Sequence, residues 1–179
     1  ESEQRASLIL QEKRPEMDPE KQKAIARVMG LGALKYADQA QNRNLDYVFD
    51  WDKMLAFDGN TAPYLINAYV RTRSILRKAG PPDKNLPLTL EHAVEWELAR
   101  KLLAYGDVLA SVSQEYRPHL LCSYLYETAS LFHRFFENCP VLRAESESLK
   151  NSRLMLSNLT GDILKSGLWH LGIETVEEM

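Results

Sequence analysis

Few residues in this chain have the type and spacing that covalent chemistry requires. The four histidines are scattered, and none follows a Glu by three residues, so the carboxylate–imidazole pairs of a di-iron helical bundle are missing. No GxxxxGK[ST], GxGxxG or HExxH occurs. Asp52-Lys53-Met54-Leu55 has the look of a nucleotide-binding lysine loop but lacks its second lysine or serine, so Lys53 reads as a solvated side chain. His92, between Glu91 and Glu95, reads as decoration of a polar helix face, and Cys122 and Cys139 read as small core residues. Nothing here assembles a nucleophile, a base and an oxyanion site. Two non-covalent patterns remain. Arg71, Arg73, Arg77 and Lys78 crowd one helical segment, Arg71 and Lys78 on one face and Arg73 and Arg77 on another. Such a face either meets phosphate or is simply solvated. Cys122, Tyr126, Ala129, His133 and Phe136 form an aromatic-rich stripe at helical spacing, which is either buried or lines a surface groove.

The elements that position these residues belong to a core-forming chain. Of 179 residues, 45% are hydrophobic and 26% charged, the balance of a globular protein. The net charge of −3 opposes a general affinity for nucleic acid, so any such role must rest on local patches. The apolar runs are too short to span a membrane. The first residue is Glu1 and no basic-then-apolar leader follows, which suggests a piece of a longer chain. Two cysteines without a CxxC argue for a reducing compartment, and cytoplasm is expected.

The pattern is helical almost throughout. Residues 1–17 are evenly mixed in charge, and no element is assigned to them. Asp18-Pro19-Glu20 supplies a cap, a first-turn proline and an early acid for a helix to about residue 40, with Ile25, Val28, Met29 and Leu34 inward. Gly30 and Gly32 each weaken it by about 1 kcal/mol relative to alanine, so a close packing contact is expected there. Tyr47-Val48-Phe49-Asp50-Trp51 alternates as a short half-buried extended segment would. A short helix at roughly 51–57 and a turn at Asp58-Gly59-Asn60-Thr61 follow. A helix over 61–79 opens with Asn60 or Thr61 as cap and Pro63 in its first turn, and stops at Gly80-Pro81-Pro82. Helices are expected at about 89–104, 107–115, 117–138 and 145–170, with Gly172 as a C-terminal glycine cap. In 117–138, Leu121, Leu125, Thr128, Phe132, Phe135 and Cys139 form one buried seam.

The run GALKYADQAQNRNLDYVFDWDKMLAFDGNTAPYL at 32–65 closely resembles the end of the catalytic region of arginyl-tRNA synthetases. INAYVRTRSILRKAG, which continues it, resembles the first helix of their DALR-type anticodon-binding bundle. PHLLCSYLYETASLFHRFFENCPVL and SRLMLSNLTGDILKSGLWHLGIETVEEM resemble the rest of that bundle and the family's C-terminus. The resemblance runs from about residue 20 to residue 179. Ile66-Asn67 stand where the family often has Gln-Tyr, and ADQAQNR replaces the commoner ADLSQNR. It implies an all-α fold: 1–60 as the end of the catalytic region, with short helical and extended parts, and 61–179 as the bundle. It also implies a parent class I enzyme that joins arginine to its tRNA using ATP with Mg. The family's HIGH-type and KMSKS-type motifs are absent from these residues, so this chain alone is expected to be inactive and to carry no cofactor or metal.

On the same resemblance Phe136, Pro140 and Met179 match positions that face the anticodon loop, and Tyr126 is added from the aromatic stripe. Arg71 and Lys78 are the candidate phosphate contacts of the bundle. Lys35 and Arg43 are candidate contacts to the inner side of the tRNA. The expected partners are arginine tRNA and the remainder of the catalytic domain, in a monomer with no membrane association. Two other readings are a helical interaction module without an RNA role and the similar bundle of a cysteinyl-tRNA synthetase; GNTAPYL and GIETVEEM favour arginine.

Overall fold

The computed structural model describes all 179 residues, which form eight α-helices joined by turns and loops, with no strand. They are α1 (Ser2–Lys13), α2 (Pro19–Gln39), α3 (Trp51–Met54), α4 (Ala62–Ala79), α5 (Ala93–Leu103), α6 (Tyr105–Glu115), α7 (Pro118–Asn138) and α8 (Glu147–His170). The all-α expectation holds, and most helix ends follow from their caps. Asp18 Oδ1 accepts the N–H groups of Glu20 and Lys21, both at 3.1 Å, ahead of Pro19. Thr61, not Asn60, caps α4: its Oγ1 accepts from the Tyr64 N–H at 3.2 Å and donates to the Ala56 carbonyl at 2.6 Å. Gly59 takes the left-handed φ of 71° that the preceding corner needs. At the end of α8, the Ile173 N–H reaches the Leu168 carbonyl and the Gly172 N–H the Trp169 carbonyl, both at 2.9 Å. With Gly172 at φ 68°, this is a complete Schellman cap.

Two apolar clusters organise the chain. The larger joins α4, α5, α7 and α8, and the α7 seam from Leu121 to Cys139 lies at its centre, at most 1% exposed throughout. Tyr36 of α2 enters the same core, its hydroxyl 2.9 Å from the Cys122 carbonyl and 2.6 Å from Asn60 Oδ1. The smaller cluster joins α1 and α2 to Met54 and Leu55. Both glycines of α2 sit at close crossings, as expected. A Cβ on Gly30 would lie 2.8 Å from the backbone of Ser2 and Glu3, and one on Gly32 would lie 3.1 Å from Ile173.

Three expectations need correction. Helix α1 was not expected, because only Ala6 and Leu10 of its apolar residues are core, while Leu8 is exposed and most of the rest is polar. Packing across Gly30 makes it a helix. The segment at 47–51 is not half-buried: Tyr47, Val48 and Phe49 are 41%, 86% and 49% exposed, since no strand lies beside it. Helix α5 starts at Ala93 instead of 89, and His92 is its cap, with Nδ1 accepting the Val94 N–H at 3.2 Å. His92 is thus structural, not decoration, and its neighbour Glu95 is fully buried.

Candidate nucleic-acid interface

Where α4 runs past the end of α7, the surface opens into a groove of about 320 Å³. Helical spacing puts Arg71, Ser74, Ile75 and Lys78, at i, i+3, i+4 and i+7, on the α4 wall as a single stripe. Phe136, Pro140 and Arg143 form the opposite side, with Ile75 and Val141 buried at its base. Phe136 is 39% exposed, so the aromatic stripe of α7 divides along its length: Cys122 and Ala129 are core, while the far end reaches solvent. The Arg71 guanidinium carbon lies 5.0 Å from the Phe136 ring centroid, a cation–π contact that flattens both groups along one wall.

The charges of the groove are uncompensated. Arg71, Lys78 and Arg143 take part in no ion pair, whereas the other two cations of α4 are engaged. Arg73 meets Asp162 at 3.5 Å and the Asn158 carbonyl at 3.1 Å, and Arg77 donates to the Glu177 carbonyl at 2.9 Å. The expected division of α4 into two basic faces is therefore present, and only one face is free. His133, one turn before Phe136, adds no charge: burial first, then the charge of Arg71, holds its pKa below the usual value of 6.5. Its ring stands edge-on to Tyr64 at 4.8 Å, and its Nε2 is buried without a partner.

A buried network supports the groove from behind. Glu95 Oε2 accepts the N–H groups of Glu91 and His92 at 2.7 and 2.9 Å, and its Oε1 accepts from Arg153 Nε at 2.6 Å. Arg153 Nη1 then donates to the Pro140 carbonyl at 3.0 Å, so the rim is tied to α8 and to the start of α5. Burial raises the Glu95 carboxyl, but the hydrogen bonds from His92 and Arg153 outweigh it and hold the group below the usual carboxylate value. Burial pushes the Cys139 thiol up to about 11 and that of Cys122 to about 12, so both stay protonated core residues. No His, Cys, Asp or Glu cluster suited to a metal ion is present.

Of the residues singled out from the sequence, four meet here: Arg71, Lys78, Phe136 and Pro140. The other four lie elsewhere. Tyr126 is half-buried against Tyr64, ring centroids 5.7 Å apart. Met179 is half-buried between the two apolar clusters, and its carbonyl accepts from Arg14 at 3.4 Å. Lys35 donates to the Gly172 carbonyl, and Arg43 to the Tyr116 carbonyl at 3.1 Å, so each is already engaged with backbone. Sequence reasoning missed Ser74, Arg143 and the Glu95–Arg153 pair. The spacing of Ser74, three residues after Arg71, was a usable signal. So was the capping-box interval from His92 to Glu95.

Comparison with known proteins accounts for the arrangement. Residues 65–179 match the model of the DALR anticodon binding domain, and residues 1–51 that of the class I (R) tRNA synthetase catalytic domain. Over 177 residues the chain is 50% identical to the arginine–tRNA ligases of Pectobacterium carotovorum and Shewanella amazonensis. In each case 98% of this chain is covered, and it spans 31% and 30% of the relative. The solved arginyl-tRNA synthetase of Thermus thermophilus superposes with a TM-score of 0.92 at 31% identity, over 99% of this chain and 31% of that one. That of Plasmodium falciparum gives 0.87 at 30% identity, over 99% and 32%. These relatives favour arginine over the cysteinyl alternative. An aromatic and proline face ringed by unpaired cations, on a helical bundle matched over most of its length, places this chain in the DALR anticodon-binding domain family, as the C-terminal portion of an arginyl-tRNA synthetase.

Proposed function

We propose that the groove between α4 and α7 holds the anticodon loop of arginine tRNA, so that the complete enzyme can join arginine to that tRNA with ATP and Mg²⁺. The observation that carries this is the convergence of Arg71, Lys78 and Arg143, all without carboxylate partners, around the exposed Phe136–Pro140 face. Loop bases that are splayed out of their stack are recognised by flat side chains and by hydrogen bonds along their edges. Phosphate contacts supply the affinity. The groove offers both ingredients in a chain whose overall charge is −3, so its attraction for phosphate is a local property.

On this reading ATP and Mg²⁺ belong to the part of the enzyme outside these residues, and the chain itself contributes grip. Helix α2 bears directly on the bundle through Tyr36, Gly32 and Gln39, the last donating to the Leu171 carbonyl at 2.9 Å. That contact gives the catalytic region a fixed bearing on the bound loop. A monomer acting in the cytoplasm fits the same reading; no helix is long and apolar enough to cross a membrane. Met179, Tyr126, Lys35 and Arg43 then serve chiefly to hold the scaffold together, with the loop itself held by the groove.

Titration of this chain with arginine tRNA and with an unrelated tRNA, over a series of salt concentrations, tests the proposal. Cognate tRNA should bind more tightly in low salt. If three cations each meet one phosphate, log Kd should rise with log salt by roughly 2. Equal binding of the two tRNAs, or no salt dependence, would support an interaction module without an RNA role.

A further inference from the structure

We infer that Ser74 is a base-reading residue of the groove, the side chain that makes a hydrogen bond to the edge of one anticodon base lying against Phe136. The inference rests on the proposed function and deepens it. Ser74 shares the α4 stripe of Arg71, Ile75 and Lys78, and it is the one neutral hydrogen-bonding side chain lining the groove. The cations there suit phosphate, while Phe136 and Pro140 offer faces without hydrogen-bonding groups. A cation engaged with phosphate and a base stacked on Phe136 or Pro140 do not distinguish one base from another through its edge.

The state of its hydroxyl separates Ser74 from most hydroxyl residues buried within helices. Such a group ordinarily returns its proton to a carbonyl one turn back. Thr72 donates to the Tyr69 carbonyl, Thr128 to Tyr124, Ser152 to Ser148, Ser157 to Arg153 and Thr160 to Leu156, at 2.7–2.9 Å. Ser74 is half-buried on the same helix as Thr72, and its hydroxyl has no hydrogen-bond partner within the protein. Its donor and its acceptor both remain available on the groove wall. A hydroxyl can donate to a ring nitrogen, a keto oxygen or a phosphate oxygen, but only a nucleobase edge also offers an amine from which it can accept; with Arg71, Lys78 and Arg143 suited to phosphate, the base edge is assigned to Ser74.

The test crosses two proteins with a set of RNAs. Wild-type chain and Ser74→Ala are titrated with an arginine anticodon stem-loop and with stem-loops in which one anticodon base at a time is replaced by a non-polar isostere of the same shape. Ser74→Ala should weaken binding of the natural loop by about two- to tenfold, the net worth of one hydrogen bond in a groove that water can reach. For the loop with the isostere at the position read, the two proteins should bind equally, because that hydrogen bond is already gone. A Ser74→Thr variant keeps the hydroxyl and should keep most of the discrimination. If Ser74→Ala binds every loop as the wild type does, the inference is wrong while the groove stands. If the wild type binds none of the loops, the underlying functional reading fails.

Discussion

Replacing Phe136 with alanine should weaken binding of arginine tRNA by about 1–3 kcal/mol, roughly 5- to 150-fold, while leaving the fold in place. That range is the measured worth of one base stacked on an aromatic ring. The structure separates this outcome from unfolding. Phe136 is 39% exposed, whereas its neighbours Phe132 and Phe135 are fully buried, and it meets the core mainly through Phe132 at a centroid distance of 6.5 Å. Truncation therefore removes a wall of the groove without opening the bundle. Circular dichroism of Phe136→Ala should be helical, with a melting midpoint close to that of the wild type. Loss of the platform should also free Arg71, whose guanidinium rests on the ring, so part of the cost is a disordered phosphate contact. Phe136→Trp keeps a flat face and should restore binding. An unfolded Phe136→Ala protein, or a folded one with wild-type affinity, would show that the ring is not a stacking platform.

The Arg153→Met substitution should have the largest effect on stability. It leaves Glu95, which is fully buried, without its ionic partner, and breaking such a pair from one side typically costs about 3–5 kcal/mol. For a chain of this length that corresponds to a fall in Tm of roughly 10 °C. The Pro140 carbonyl loses its donor as well, so the rim of the groove should loosen even where the fold survives. Glu95→Gln acts from the other side and has a distinct pH signature. The Glu95 carboxyl is held below its ordinary value of 4.5, so the folded state binds its proton less readily than the unfolded chain does. Its contribution is complete above about pH 5 and is lost as pH falls through the depressed folded pKa. The stability gap between wild type and Glu95→Gln, measured by urea unfolding, should thus narrow on acidification. A gap that is constant from neutral pH into the acid range would mean that the carboxylate is not the stabilising form.

How much of this was legible in the sequence varies by element, for physical reasons. The seam of α7 was legible because spacings of three and four survive wherever one helical face is buried, and all six seam residues are core. Caps and glycine crossings were legible because they need particular side chains, or none, at fixed positions. Helix α1 was not, since only Ala6 and Leu10 mark its inner face and its place depends on packing against α2, including the close crossing at Gly30. The segment 47–51 has a true strand-like alternation, but alternation reports a propensity and not the presence of a partner. Glu95 was misread as polar surface because its partner lies 58 residues away, a distance that no local pattern spans. The site shows the same division. Arg71 and Lys78 were placed on one face by helix geometry alone, and Phe136 and Pro140 came from the family resemblance. Lys35, Arg43 and Met179 were singled out without sight of the backbone and tail contacts that occupy them.

Photochemical cross-linking measures the central claim most directly. Arginine tRNA carrying 4-thiouridine in its anticodon loop is bound to this chain in low salt and irradiated, and the joined peptide is identified by mass spectrometry. Cross-links should fall within residues 71–78 and 136–143 and should disappear when unlabelled cognate tRNA competes. Cross-links that map instead to α2 or to the outer face of α5, or that form equally with an unrelated tRNA, would contradict the groove as the seat of the loop.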